Sequence, residues 1–284
     1  MGFAAHSAAG RERAESWLGA PAAHDLKALV SRSPDLYVVT VPDEALPMVA
    51  NELARALRGL LAPEAPFVAH TSGATSVTVL SPCEAAGAEI LAFHPLQTFS
   101  QPLEGSTRFA GAAVAITPSL TAETSDATAF GFALARGLRA RPFLLPDDRR
   151  TLYHVAATFA SNYLVAIEHH AERLFLQAGL PGEEALELFL PLVRATVDNI
   201  AARGTVAALT GPLSRGDAST VAAHIRALAA SAPDLIPLYT MLGRATLGQI
   251  RKRGEVSSAT LAELAGILGA ADQPSALESD IQGI

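Results

Sequence analysis

The sequence predicts two domains, an α/β domain with a parallel sheet over residues 1–146 and an all-helical domain over residues 147–284. Short apolar runs alternate with amphipathic stretches as far as Pro146, the pattern of strands that feed crossover helices. The runs are almost continuously apolar, as in strands covered on both faces. After Pro146 no strand pattern recurs, and helical periodicity is interrupted only by glycine and proline.

The α/β domain is predicted to contain six strands separated by four helical segments. The predicted strands are residues 2–6, 36–41, 67–71, 89–93, 112–116 and 142–145, and the predicted helices are residues 10–18, 43–61, 75–86 and 122–138.

The second domain is predicted to open with one long helix. Asp147 and Asp148 suit its N-terminus, and Gly179 and Pro181 stop it. Such a helix would be roughly 45 Å long, which is more than a small domain needs, so we expect this domain to form a homodimer. Further helices are predicted over residues 183–203, 216–230, 234–253 and 257–268.

Composition excludes several classes of protein. The net charge is −7 and the single basic run is Arg251-Lys252-Arg253, so nucleic-acid binding has little electrostatic support. One cysteine, Cys83, allows no intrachain disulfide. No apolar run reaches the roughly 18 residues of a membrane span. We therefore expect no nucleic-acid or membrane partner and a cytoplasmic location.

A dinucleotide-binding domain begins with a Gly-x-Gly-x-x-Gly turn, whose amides bind the pyrophosphate. The sequence contains no such turn. Either the domain is another α/β type, or about 25 residues carrying the first strand and helix are missing, and we favour the second interpretation. Ser7 and Arg11 would then lie where a ribose 2′-phosphate binds, although a solvated surface loop explains either arginine of this segment, Arg11 or Arg13, equally well.

Polar residues follow three consecutive predicted strands. Carboxyl ends of parallel strands form the ligand crevice of open α/β sheets, so we assign these residues to the cofactor side. Asp43 and Ser72 can equally act as helix caps. The predicted cofactor-binding residues here are Thr40, Val41, Pro42, His70, Thr71 and Ser72.

Candidate catalytic residues come from the third strand end and the long helix. Hydride transfer needs an acid or base and an orienting group near the substrate. We assign these roles to His94, His154 and Asn162, the last two of which return to a similar azimuth on a continuous helix together with Ser161. Structural hydrogen bonding between helices is the alternative.

Three further residues are predicted to bind substrate: Gln97, Arg150 and Arg215. Arg215 lies in a loop rich in glycine and proline and could pair with a substrate carboxylate, but the loop could also be a tight turn in which Asp217 caps the next helix. His169 and His170 point about 100° apart on a helix, so we predict no metal site.

Several segments together resemble a family of Rossmann-like proteins whose C-terminal half is a domain of unknown function. They are His70-Thr71-Ser72-Gly73, the run from Phe93 to Phe99, Ser161-Asn162-Tyr163-Leu164, Leu209-Thr210-Gly211-Pro212 and Arg215-Gly216-Asp217. The family is similar to the group that contains ketopantoate reductase, pyrroline-5-carboxylate reductase and 6-phosphogluconate dehydrogenase. The His94-Pro95 pair also resembles a segment of prephenate dehydrogenases.

The resemblance implies a dimeric oxidoreductase that uses NADP, with NAD not excluded, and binds a small carbonyl or imine substrate between its domains. Where reductases of the wider group place a lysine, this chain has Arg150 and His154. Arginine holds its proton too firmly to be a general acid, which leaves that role to histidine. The alternative hypothesis is a non-catalytic dimeric nucleotide-binding or scaffold protein that keeps the fold.

Overall fold

The computed structural model describes residues 2–5, 7–58, 65–99, 106–119, 126–182 and 184–271. It divides into two compact units, Met1–Val165 and Ala166–Ile284. The first unit therefore extends past the predicted domain boundary at residue 146. That boundary lies just after the last strand of the sheet, which ends at Leu144.

A five-stranded sheet forms the centre of the first unit. The strands are β1 Leu36–Val39, β2 Phe67–His70, β3 Glu89–Leu96, β4 Ala113–Pro118 and β5 Arg141–Leu144. They lie in the order β1-β2-β3-β4-β5, and every neighbouring pair is parallel except β3 and β4. The predicted α/β fold is confirmed, although the sheet, predicted as parallel, contains this one antiparallel pair.

Six α-helices accompany the sheet among the described residues of the first unit. They are α1 Ala8–Leu18, α2 Leu26–Val30, α3 Leu46–Leu57, α4 Ser81–Glu84, α5 Asp126–Gly137 and α6 Arg150–Ala160. Short 3-10 turns precede α3, α4 and α6, at Asp43–Ala45, Val77–Leu80 and Asp147–Arg149.

Alternate residues of the strands enter separate cores on the two faces of the sheet, as the period of two in a strand requires. Val68 and Ile90 pack with α3 on one face. Ala69 and Leu91 pack with α5 on the other. The near-continuous apolar strands of the sequence follow from this double coverage.

The predicted first strand, residues 2–6, is not observed: residues 2–5 form no strand, and His6 lies outside the described residues. Among the described residues, no strand pairs with the outer edge of β1. A groove of about 440 Å³ lies along that edge, lined by Gly2, Phe3 and Ala4 together with β1.

The long helix predicted over residues 147–179 is interrupted at Ser161, whose φ of −126° and ψ of −65° are not helical. It forms two helices instead, α6 and α7 Asn162–Gln177. Because the periodicity restarts at the break, the predicted common face of His154 and Asn162 does not follow from helical geometry.

All the regular secondary structure among the described residues of the second unit is helical. After α7 come α8 Ala185–Ala207, α9 Pro212–Arg215, α10 Ala218–Ser231, α11 Ile236–Arg253 and α12 Ser258–Ala270. Gly243 of α11 allows α12 to approach closely, since a Cβ there would lie 2.8 Å from a methyl carbon of Leu268. None of the described helices has both the length and the apolar character to cross a membrane.

Candidate functional site

The loop after β2 is held rigidly at the carboxyl end of the sheet. The Ser72 hydroxyl lies 2.7 Å from Oδ2 of Asp43, which follows β1, and 2.9 Å from the Thr75 hydroxyl. The Thr75 amide donates back to Ser72 Oγ at 3.0 Å. Asp43 and Ser72 therefore connect two neighbouring strand ends.

The same loop is also bound by Asp147, in the turn before α6, and by Arg150, the first residue of α6. Asp147 accepts hydrogen bonds from Ser76 Oγ at 2.6 Å and from the Val77 amide at 2.8 Å. The Arg150 side chain donates to the Ser72 carbonyl, to the Thr75 carbonyl at 2.7 Å, and to Thr117 Oγ1 of β4 at 2.9 Å. Arg150 is only 1% exposed, so it is an internal anchor.

Two histidines meet beside Gly73, and we call His94, His154 and Gly73 the histidine cluster. A Cβ on Gly73 would lie 2.5 Å from His154 Cδ2 and 2.8 Å from His94 Nε2. The two imidazole ring centroids are 6.2 Å apart. The loop, β3 and α6 therefore come together at Gly73, where only glycine leaves room for both rings.

The environment favours the neutral form of His94. Burial, followed by the positive charge of Arg150 and the neighbouring His154, lowers the pKa of His94 to about 4, with Asp43 opposing. Nδ1 of His94 lies 2.9 Å from the Tyr153 hydroxyl. Burial raises the pKa of Tyr153 to about 12, so both partners are uncharged at neutral pH.

His70, at the end of β2, is fully buried, and neither of its ring nitrogens has a hydrogen-bond partner among the described residues. Burial and then the charge of Arg150 lower its pKa to about 4. An imidazole with two unsatisfied nitrogens is unusual in a protein interior. The imidazole of His70 is therefore closed off from solvent at the end of β2.

The remaining predicted cofactor residues lie in two places. Thr40 is exposed, Val41 is half-buried and Pro42 is exposed at the end of β1, and Thr71 is half-buried after β2. Ser7 caps α1 by accepting from the Gly10 amide at 3.0 Å, and Arg11 is exposed and donates to the Ala5 carbonyl at 3.4 Å.

Three residues with predicted substrate or catalytic roles have other surroundings in the unliganded structure. Arg150 has its guanidinium satisfied by protein oxygens, so it positions the loop and is not free for a substrate carboxylate. Gln97 uses its side chain within its own loop, on the Thr98 amide and the Arg108 carbonyl. Asn162 is exposed beyond the break at Ser161 and is not part of a buried polar stripe.

Arg215 ends α9 in the second unit and is exposed. The alternative interpretation of its loop is supported, because Asp217 caps α10 by accepting from the Thr220 amide at 3.0 Å. Among the described residues, no three His, Cys, Asp or Glu side chains are arranged to hold a metal ion.

Sequence reasoning missed Tyr153 and Asp147 as members of the site. Tyr153 is one residue before His154 on α6, and an aromatic residue in an apolar helix gives no sign that its hydroxyl contacts a histidine on β3. The position of Asp147 before a predicted helix indicates only a helix cap. An aspartate before a helix can cap it or bond elsewhere, and here it binds residues 76 and 77.

Comparison with protein families gives two matches. A Rossmann-like domain model matches residues 1–95, and the domain of unknown function DUF2520 matches residues 116–246. No curated protein matches the chain.

Solved structures share the fold at low sequence identity. A candidate NADP oxidoreductase from Bacteroides fragilis is 23% identical with a TM-score of 0.67, covering 87% of each chain. A Thermotoga maritima protein is 22% identical with a TM-score of 0.60, covering 77% of this chain and 80% of its own. Plasmodium falciparum pyrroline carboxylate reductase, solved with NADP bound, is 10% identical with a TM-score of 0.52, covering 87% of this chain and 82% of its own. The chain is thus similar to a Rossmann-like domain over residues 1–95 and to DUF2520 over residues 116–246, which confirms the resemblance drawn from its motifs.

Proposed function

We propose that this protein is an NADP-dependent oxidoreductase that exchanges a hydride with a small carbonyl or imine compound. The observation that carries the proposal is the histidine cluster at the carboxyl edge of a Rossmann-like sheet, where ligands of open α/β folds bind. The naming of structural relatives as NADP oxidoreductases supports the same activity.

The strand ends fit one half of the cofactor. Thr40 has an exposed hydroxyl after β1, and the half-buried Thr71 has another after β2. Hydroxyls can donate and accept hydrogen bonds, so they suit the ribose and the nicotinamide of the cofactor. The sequence has no glycine-rich turn for the pyrophosphate, so we expect weak binding of the cofactor by this chain. When bound, NADPH would supply the hydride.

The protein's own residues would polarise the substrate. His94 is neutral, and its Nε2 has no hydrogen-bond partner among the described residues. A carbonyl oxygen or imine nitrogen that reaches this ring could accept a hydrogen bond from it, and His154 lies on the same side of Gly73 as His94. A neutral imidazole that donates to a carbonyl is an established way to promote charge development on oxygen.

The cofactor part of the proposal is tested by titrating the protein with NADPH and following the nucleotide fluorescence. We expect a saturable change in the micromolar to millimolar range, weakened at least about tenfold by Thr40→Tyr, which places a bulky ring at the end of β1. Thr205→Tyr, an exposed threonine of the second unit, is the matched control and should bind as wild type does. No saturable change in the wild type, or equal loss in both variants, would contradict the proposal.

The catalytic part is tested by NADPH oxidation with a panel of small ketones, aldehydes and cyclic imines. His94→Ala should lower kcat by about 10²-fold or more while the NADPH dissociation constant stays within about twofold. Binding of NADPH without turnover of any panel member would favour the non-catalytic alternative.

We also propose that a second copy of this chain covers apolar residues of the helices. In α8, whose 23 residues are interrupted by a kink at Gly204, only Ala185 and Phe189 are buried, while Leu188 and Leu192 are 54% and 64% exposed. Continuous exposed apolar surface of this kind marks a protein interface. Light scattering should give a dimer for the wild type and a monomer for Leu188→Glu/Leu192→Glu, with Arg226→Glu on α10 as the charge control. A monomeric wild type would exclude the dimer.

A further inference from the structure

Tyr153 and His94 form a fixed pair on the side of the imidazole away from Gly73. The Tyr153 hydroxyl is 2.9 Å from His94 Nδ1, and the two rings are perpendicular with centroids 5.5 Å apart. The Tyr153 ring also packs edge-on against Phe143 of β5 at 6.1 Å. The phenol is therefore held between α6, β3 and β5.

The direction of this hydrogen bond follows from the acidity of the two groups. A neutral imidazole carries one N–H and one acceptor nitrogen. Phenol is a stronger acid than a neutral imidazole N–H, and the imidazole nitrogen is a stronger base than a phenolic oxygen, so the O–H···N arrangement is preferred. The Tyr153 hydroxyl has no other hydrogen-bond partner among the described residues, so donation to Nδ1 also satisfies its proton.

We infer that Tyr153 is a positioning residue that donates its hydroxyl proton to Nδ1 of His94 and thereby keeps the imidazole proton on Nε2. The tautomer of a histidine is set by the hydrogen bond that its other nitrogen makes. Nε2–H then faces the hydrogen of Gly73, since a Cβ in the place of that hydrogen would come within 2.8 Å of the nitrogen.

The inference assigns His94 the role of hydrogen-bond donor rather than of base in the unliganded protein. With the opposite tautomer, Nε2 would present a lone pair and would repel a carbonyl oxygen. The catalytic consequence rests on the proposed oxidoreductase function, whereas the tautomer itself does not.

Nitrogen-15 NMR of the unliganded protein tests the tautomer directly. In the wild type we expect the Nε2 signal of His94 to be that of a protonated nitrogen and the Nδ1 signal that of an acceptor. Tyr153→Phe removes the donor, so both tautomers should be populated and the pKa of His94 should rise, because a hydrogen bond to the neutral form is lost. Arg150, His154 and Asp43, the other charged or titratable groups that act on His94, remain in the variant.

A second histidine–tyrosine pair in the chain supplies the control. Nδ1 of His224 lies 2.9 Å from the Tyr239 hydroxyl in the second unit, so Tyr239→Phe should alter the His224 signals and leave those of His94 unchanged. A wild-type His94 with its proton on Nδ1, or a Tyr153→Phe variant with wild-type tautomer populations, would overturn the inference.

Kinetics then separate this inference from the proposed function. Tyr153→Phe should lower kcat about tenfold or more while NADPH affinity is unchanged, and the NMR result stands even if no substrate is turned over. A variant with altered tautomers but wild-type kcat would refute the catalytic consequence.

Discussion

At the scale of single residues, Gly73 sets the spacing of the histidine cluster. Its hydrogen faces two imidazole rings, and both are carried by regular elements, β3 and α6, that cannot shift easily. The close approach concerns side-chain space and not backbone strain, because the φ of Gly73 is not positive. Any larger residue must therefore push at least one ring away.

We predict that Gly73→Ala lowers kcat at least about tenfold and the free energy of unfolding by about 1–3 kcal/mol. The new methyl group would overlap the positions of His154 Cδ2 and His94 Nε2. Urea unfolding and NADPH oxidation measure the two effects. Gly248→Ala on α11, where nothing lies within 4 Å of the added carbon, should leave both unimpaired; a Gly73→Ala enzyme with wild-type kcat would show that the rings have room.

Arg150 shows how a residue that looks functional in sequence can be structural. We predict that Arg150→Gln destabilises the first unit by about 3–5 kcal/mol, because buried oxygens of Ser72, Thr75 and Thr117 lose their donors. Its neighbour Arg149, which pairs with Asp148 on the surface at 3.4 Å, is the matched control, and Arg149→Gln should change stability by less than about 1 kcal/mol. Equal urea midpoints for the two variants would refute the anchoring role.

At the scale of elements, the sequence predicted those strands whose signal is local. β1, β2 and β5 are short apolar runs bounded by polar residues, and each lies within a residue or two of its predicted position. The antiparallel β3–β4 pair was not foreseen. Two neighbouring strands can be parallel only if a crossover connection joins them, and antiparallel strands need none. The sequence predicts no crossover helix over residues 94–111, so an antiparallel β4 is compatible with it.

The prediction of one continuous helix over residues 147–179 was wrong for a different physical reason. The residues around 161 have no glycine or proline, so no local breaker signals the change at Ser161. No sequence pattern gives the distances between residues of β3 and residues of α6. The sequence therefore indicates His94 and His154 as separate candidates, and it does not indicate Tyr153, whose hydroxyl contacts His94.

The N-terminus of α10 yields a prediction with a defined pH dependence. Hydrogen bonds from the Thr220 hydroxyl, then from the Thr220 amide and from Ser219, lower the pKa of Asp217 from 3.8 to about 2. A carboxylate whose pKa is lowered on folding stabilises the fold above its unfolded pKa, and this contribution is lost as the pH falls through the folded value.

We therefore expect Asp217→Ala to lower the melting temperature at pH 7, by a difference that shrinks as the pH falls from about 4 to about 2. Ser257 makes the equivalent uncharged cap on α12, accepting from the Thr260 amide at 3.1 Å. Ser257→Ala should accordingly give a loss of stability that does not change with pH. A pH-independent difference for Asp217→Ala would mean that the charge of the cap has no effect.

At the scale of the whole molecule, two units with separate cores carry different parts of the evidence for function. The first unit contains the sheet and the histidine cluster, and the loops that follow β1 and β2 are joined where these two parallel strands end. The second unit has its own cores around Leu264 and Leu235. A sequence can predict this division because strand and helix periodicities differ, whereas the residues that meet at the edge depend on the assembled sheet.

Acid stability of the folded molecule tests the buried state of His70. Its pKa falls from 6.5 to about 4 on folding, chiefly because of burial and then Arg150, with Asp43, Asp147 and the backbone of Ser76 opposing. The unfolded chain therefore binds a proton at this residue between these two pH values while the folded chain does not. Stability from the neutral His70 is complete above pH 6.5, declines as the pH falls and is lost near pH 4, a change on the order of 3 kcal/mol.

His70→Phe keeps an aromatic ring at a site where neither imidazole nitrogen has a partner of good hydrogen-bond geometry among the described residues, and it removes the titration. We predict that urea unfolding of this variant depends less steeply on pH between about 6.5 and 4 than that of the wild type, whatever its stability at pH 7. His24→Gln removes an exposed histidine, with 95% of its side chain accessible, and should keep the wild-type slope. If His70→Phe also keeps that slope, proton uptake by His70 does not limit the acid stability of the fold, and its buried ring must be satisfied in a way that permits its protonation.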